Sequence, residues 1–296
     1  MKKMDWRRIK DIMAGKSMYL AVAFANSIVF LIFLGLFIQS RPILIKKSII
    51  DLLLSSSWHP MKGEFGFYPF IIGTLEVTAI AMILAVPVCL LSAIYLAEYA
   101  HRRLRGLAHV VIDVMAAIPS VIYGLWGVIV VVPFVRTLGN ALDAPTTGYS
   151  LLAGGIILAI MVSPIMMSVS IEVLRTIPLQ ARETALALGA TKWEAIKHVV
   201  LRSGIHGILS AIVLGFTRAF GETIAVLMIV GNVPLVPSSI FDPAYPLPAL
   251  LANNYGEMMS IPLYNSALLF SGLILLVVVS AFNLMAHLTL LRFEKG

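Results

Sequence analysis

The sequence predicts an all-α fold, a polytopic membrane protein with six transmembrane helices in one bundle, and three observations predict it. Hydrophobic residues make up 59% of the 296 and charged residues only 12%, with a mean hydropathy of +0.95, far above the balance of soluble domains. Six apolar runs are each long enough to cross about 30 Å of hydrocarbon at helical rise. The basic residues gather on alternate connections between those runs, as topology signals do. No linker, low-complexity tract or internal repeat divides the chain, so one domain over residues 1–296 is expected.

The chain opens on Lys2, Lys3, Arg7, Arg8, Lys10 and Lys16 before an apolar run at about 19–38. That run is too long for the core of a cleaved signal and lacks a small-residue cleavage site, so a retained first helix is expected. Ala14-Gly15-Lys16-Ser17 mimics the end of a phosphate-binding P-loop. Lys10 stands where that motif needs its first glycine and no strand precedes it, so no phosphate cradle forms there. The polar connection that follows carries Trp58 and Tyr68 as candidate interfacial aromatics. Further spans are expected at about 70–96, 107–132, 150–171, 205–230 and 263–291. Pro87, Pro119 and Pro164 fall inside spans and read as kinks. Cys89 is the single cysteine, which excludes an intrachain disulfide.

Six spans place both termini on one side together with two of the connections. That side collects six basic residues at the N-terminus, then Arg102, Arg103, Arg105, Arg175, Arg182, Lys192, Lys197, Arg202, Arg292 and Lys295, sixteen in all. The other side has five: Arg41, Lys46, Lys47, Lys62 and Arg136. The bias predicts cytoplasmic termini and a cytoplasmic loop over 176–202. The net charge of +7 does not point to nucleic acid, because the basic residues flank apolar segments and form no stripe with aromatics.

The rest of the chain reads as a scaffold for residues 175–232. Within the loop, Pro178 suits a first helical turn and Gly189 a C-terminal cap. Thr191 and Glu194 have the spacing of a capping box that restarts a second helix. The span after it is apolar except for Arg218 and Glu222, which at a spacing of four are expected on one helical face. Ionisable groups at membrane depth are functional candidates by default. Arg218 offers a planar fork of donors that matches an oxyanion and stays charged when poorly hydrated. Glu222 would hold Arg218, neutralise it while the path is empty, and yield to the anion. Thr217 and Thr223 flank the pair and could line the same path, although hydroxyls on membrane helices more often bond their own backbone.

Glu183-Thr184-Ala185, then Gly189, then Val199-Val200-Leu201, just before a penultimate span, resembles the EAA loop of ABC importer permeases. Thr184 and Arg202 depart from that pattern, which prefers alanine and proline there. Four stretches are closer still to the C-type permease subunits of phosphate-specific ABC importers: Phe67-Tyr68-Pro69-Phe70-Ile71-Ile72-Gly73-Thr74-Leu75, Ala93-Ile94-Tyr95-Leu96-Ala97-Glu98-Tyr99, Ala117-Ile118-Pro119-Ser120-Val121-Ile122-Tyr123-Gly124 and Arg218-Ala219-Phe220-Gly221-Glu222-Thr223. The resemblance covers residues from about 65 to the C-terminus.

The resemblance implies a type I importer permease fold whose loop over 176–202 docks its short helices on a separate ATPase. Leu186, Trp193 and Ile196 would be apolar anchors, Arg182 and Glu183 polar contacts, and Ala185 and Gly189 motif positions. It also implies a second, A-type permease, a pair of ABC ATPase subunits that bind the ATP, and an extracytoplasmic phosphate-binding protein. No cofactor is expected in this chain. Importers of molybdate, tungstate or sulfate are the rivals within transport, since arginine does not separate tetrahedral oxyanions. A membrane-embedded enzyme is the rival class, but no nucleophile elbow, no His-Glu-x-x-His and no acid and base at useful spacing occur within a span. Glu76, Asp113 and Glu172 are lone acids that could be gates or pair partners, and His109, His198, His206 and His287 lack metal-ligand spacing.

Overall fold

The computed structural model describes residues 6–258 and 260–293, without the side chains of residues 7, 9, 286, 287 and 289–293. Lys2, Lys3 and Lys295 lie outside the described residues, as do the side chains of Arg7, Arg292 and His287. Helix α1 (Trp6–Lys46) is followed by a short α2 (Ile49–Leu54) and a hairpin of β1 (Trp58–His59) and β2 (Glu64–Phe65), antiparallel with Trp58 opposite Phe65. Then come α3 (Tyr68–Ile94), α4 (Arg102–Ala117), α5 (Ser120–Trp126), α6 (Val132–Ala141) and α7 (Leu151–Thr176). The chain ends with α8 (Leu179–Ala187), α9 (Lys192–Ala195), α10 (Leu201–Phe220), α11 (Ile224–Ile229), α12 (Leu247–Asn254) and α13 (Pro262–Phe293). Single π-turns at Tyr95–Tyr99, Gly127–Val131 and Ile196–Val200 extend α3, join α5 to α6, and join α9 to α10.

Six of the resulting rods, among the described residues, are long and apolar enough to cross a membrane: Lys10–Lys46, Tyr68–Tyr99, Ser120–Ala141, Leu151–Thr176, Lys192–Phe220 and Pro262–Met285. The core is the packing of α3 on α7, with α10 against α7. Small residues make this close approach possible, as is usual where helices meet without water to drive them together. A Cβ on Gly155 would come within 2.4 Å of Ile80, and one on Gly154 within 2.9 Å of Val77. Helix α1 packs along α13, where Ile43 N–H donates to Ser266 Oγ at 3.1 Å.

Two expected spans differ. The run at 107–132 is not continuous: α4 stops at Ala117, and the rod that follows starts at Ser120 and reaches Ala141. Pro119 disfavours helical backbone at the residue before it, and Ile118 is extended at φ −66°, ψ 125°. The run at 205–230 breaks after Phe220, where Gly221, Glu222 and Thr223 separate α10 from α11. Pro87 and Pro164, in contrast, lie inside intact helices.

The two connections away from the basic loop are packed. Trp58 is no free interfacial aromatic: its ring lies 4.7 Å from that of Phe70, 5.5 Å from Phe67 and 5.7 Å from Phe65. After α11 the chain folds back, with Leu247 N–H donating to the buried Thr74 Oγ1 at 2.9 Å and Leu247, Ala249 and Leu250 all buried. Asp242 holds the preceding turn, its Oδ2 accepting from Ser238 N–H (2.9 Å), Ser238 Oγ (2.8 Å) and Ser239 N–H (2.9 Å).

Candidate functional site

Residues 176–202 form two short helices bent around Gly189. Helix α8 starts after Pro178, and α9 starts at a capping box: Glu194 N–H donates to Thr191 Oγ1 at 3.3 Å while Thr191 N–H donates to Glu194 Oε2 at 2.8 Å. These reciprocal bonds satisfy donors that a helix start leaves orphaned. Gly189 takes φ +90°, a left-handed angle that residues with a Cβ adopt only at a cost, and a Cβ there would meet nothing within 4 Å. The turn therefore demands glycine for its backbone angle alone.

The loop presents an apolar surface to solvent. Leu179, Leu186, Leu188 and Trp193 are exposed, Leu188 by 83%, and Glu183 shares the exposed side. Ala185 is half-buried beneath them. Two residues read from the sequence as docking contacts do not belong to this surface. Ile196 is 2% exposed and packs in a cluster with Ile94, Ile171, Leu174, Ile177 and Val200, so it anchors the loop inward. Arg182 also points inward, its Nη2 donating to Glu98 Oε1 at 2.7 Å and to the Leu174 carbonyl at 2.7 Å, with Nη1 on the Ile177 carbonyl. Helix periodicity does not separate Arg182 from the docking residues, since it lies one turn from both Leu179 and Leu186 on α8; its long side chain instead reaches round to Glu98 and the end of α7. Arg105 does similar work at the end of α3, donating to the carbonyls of Leu96 (2.9 Å) and Ala97 (3.0 Å) that the helix end leaves free.

The second site lies where two rods are interrupted. The break at Pro119 and the break at Gly221 lie beside each other, because α5 packs on α11 with Gly124 against Ala225 and Met228. Tyr123 Oη donates to the Met115 carbonyl at 2.8 Å and so ties α5 to the end of α4 across the bend. Arg218 sits in the last turn of α10, exposed, with Tyr123 within reach of its charge. The shared helical face expected for Arg218 and Glu222 does not exist, since α10 ends at Phe220. Glu222 is half-buried in the break, where Oε1 accepts from Ala225 N–H at 3.3 Å and caps α11. Among the described residues no carboxylate comes within 4 Å of Arg218, and the ion pairs are His59–Glu64 and Arg182–Glu98.

The flanking hydroxyls have local partners. Thr217 Oγ1 donates to the Val213 carbonyl (2.9 Å) and lies 3.1 Å from Asn283 Oδ1 on α13, and Thr223 Oγ1 lies 3.3 Å from the Gly221 carbonyl. Glu76 is half-buried beside a cavity of about 250 Å³ that Ser238 and Ser239 also line, whereas Asp113 and Glu172 are exposed. No group of three or more His, Cys, Asp or Glu comes together among the described residues.

Sequence reasoning passed over Glu98 and Leu188. Glu98 closes an apolar span and, read from the sequence, is only part of the stretch at 93–99, with no role of its own. Leu188 precedes the glycine, and nothing in its own type marks it as exposed.

Comparison with known proteins agrees with this architecture. Residues 85–295 match the profile of the family described as "Binding-protein-dependent transport system inner membrane component". The "Phosphate transport system permease protein PstC" of Xylella fastidiosa strain 9a5c is 36% identical over 261 residues, covering 83% of this chain and 80% of that protein. The "Probable phosphate transport system permease protein PstC" of Methanocaldococcus jannaschii is 31% identical and covers 100% of this chain and 99% of that protein. Among solved structures, a bacterial alginate ABC transporter in complex with an alginate pentasaccharide-bound periplasmic protein matches over 99% of both chains with a TM-score of 0.69 at 16% identity, a likeness of fold. With six membrane-length rods, a tied helical loop beside them and a family match over most of its length, this chain belongs to the binding-protein-dependent transport system inner membrane components, the permease subunits of ABC importers.

Proposed function

We propose that this chain is the permease subunit that carries inorganic phosphate into the cytoplasm, driven by ATP hydrolysis on separate ATPase subunits. The observation that carries the reading is Arg218, a guanidinium with no carboxylate partner among the described residues, at the meeting of two helix breaks. A charge at the centre of a membrane helix costs about 3 kcal/mol on insertion scales, so an arginine within a span is a functional candidate. Interrupted helices supply free backbone groups at the same depth, the arrangement by which transporters hold ions and substrates. Phosphate-system permeases at 36% and 31% identity over most of this chain support phosphate as the oxyanion.

In this reading both termini and the loop over 176–202 face the cytoplasm, as the basic-residue bias requires. The exposed Leu186, Leu188 and Trp193 seat in a groove of the ATPase, with Glu183 fixing register at the rim. Arg218 belongs to the substrate path. Glu222, Thr217 and Thr223 shape the break beside it, through the α11 cap and the bond to α13. A second permease subunit completes the path, and an extracytoplasmic phosphate-binding protein delivers the ligand. ATP is bound only by the partner.

The test is uptake of radiolabelled phosphate into vesicles that hold this chain with its partner permease, ATPase subunits and binding protein. ATP-dependent uptake that excess sulfate, molybdate or tungstate does not suppress is expected. Uptake of another oxyanion in preference to phosphate would reassign the substrate and leave the permease role standing.

A further inference from the structure

Two features at the basic end do not belong to the exposed coupling surface: the dipeptide Glu98-Tyr99 and the π-turns beside the loop. Glu98 lies in the π-turn that closes α3, its side chain 9% exposed. Arg182 of α8 grips it with Nε at 3.1 Å from Oε1 and 3.3 Å from Oε2, and with Nη2 at 2.7 Å from Oε1. The same guanidinium holds the carbonyls of Leu174 and Ile177 at the end of α7. From the other side of Gly189, Lys192 Nζ donates to the Glu98 carbonyl at 2.8 Å and stands 4.2 Å above the ring of Tyr99. Both helices of the loop therefore close on one dipeptide of α3.

We propose that the Glu98–Arg182 ion pair is the pin through which the loop moves α3 and α7 as one body, with Glu98 as a positioning residue for coupling. This rests on the reading that residues 176–202 dock on an ATPase. A forked arginine–carboxylate contact fixes direction as well as distance, and it is strongest where water is scarce. Removing one partner leaves the other charge buried and unpaired, so the contact holds or fails as a unit. The bodies it joins are rigid, because α3 and α7 meet through Gly154 and Gly155 with no room for a side chain. The π-turns supply the give: one at Tyr95–Tyr99 carries the pin, and one at Ile196–Val200 joins the loop to α10. Such turns often mark functional sites within helices. Displacement of the loop is thus delivered to α3 and α7 through Arg182, while α10 pivots.

The experiment uses the full complex in vesicles, with Glu98→Gln, Arg182→Gln and the double variant, and reads ATP hydrolysed per phosphate imported alongside ATPase co-purification. Each single variant is expected to keep the ATPase bound and to raise the ratio about tenfold, within the usual range of coupling between sites. The double variant should raise it no further, since the two residues act as one contact. A change below about twofold for Glu98→Gln, or additive effects in the double variant, overturns the pin. If a single variant does not assemble, Glu98→Cys with Arg182→Cys in a Cys89→Ala background decides. Recovery of the ratio on closure by a short bis-maleimide supports the pin, and no recovery overturns it. Failure of the docking reading looks different: substitutions at Leu188 and Trp193 would then leave ATPase co-purification unchanged.

Discussion

Arg218 and Glu222 stand four residues apart and are not paired, because α10 ends at Phe220 between them and Glu222 turns its carboxylate to the Ala225 N–H at 3.3 Å. The two residues therefore have separate consequences. Arg218→Gln is expected to abolish phosphate uptake with assembly intact, since a neutral amide does not compensate a dehydrated anion. Arg218→Lys should restore uptake only in part, having the charge without the planar fork. Glu222→Gln should keep substantial uptake, because an amide oxygen still accepts at the α11 start and the loss is about 1 kcal/mol. Uptake and ATP hydrolysis measured together separate these outcomes. Normal uptake by Arg218→Gln would make the arginine structural.

Gly189 at φ +90° makes the loop sensitive to any Cβ, although space around it is free. Gly189→Val should cost about 1–2 kcal/mol in the turn and weaken ATPase co-purification while the spans remain folded by circular dichroism. Leu188→Ala and Trp193→Ala should weaken co-purification without strain, through lost apolar contact alone. Retention of full binding in all three would remove the loop from the interface.

The orientation is tested on the connection after α11, whose residues 244–250 are buried while residues on either side of them are open. Leu235 and Tyr255 are 66% and 53% exposed. Cysteines placed there in a Cys89→Ala background should react with an impermeant thiol reagent added outside intact cells. Reaction only from the cytoplasmic side reverses the topology.

Asp242 gives that connection a pH dependence. Hydrogen bonds from Ser238, then from Ser239, hold its carboxyl below the usual carboxylate range. A depressed folded value means that the stabilisation is complete above the ordinary value near 3.8 and is lost as pH falls through the lower folded value. Asp242→Asn should mimic the acid form at neutral pH, loosening the turn by roughly 1 kcal/mol after allowance for solvent screening. Limited proteolysis from outside should then cut residues 234–242 faster in the variant. Equal rates would show that the three bonds contribute nothing.

Residue types and spacing were enough for the all-α class, six spans and a helical loop around Gly189, because hydrophobic periodicity, capping boxes and positive φ are local properties. The Thr191–Glu194 box needs only four residues to act. The same locality explains what the sequence did not reveal. Apolar character continues through 107–132 and 205–230, so hydropathy does not mark the ends at Ala117 and Phe220; Pro119 accounts for the first through Ile118, while Gly221, at φ −91° and ψ −1°, takes no special backbone angle. Inward and outward faces of the loop are decided by what packs beneath it. Arg182 and Glu183 are neighbours of similar polarity, and only the position of Glu98, 84 residues earlier, turns one inward and leaves the other exposed. The sequence by itself determined the helical class, the number of spans and where the loop bends, since those follow from transfer free energy and backbone geometry. Tertiary structure decided which charges meet, because an ion pair between distant residues depends on how α3, α7 and α8 converge.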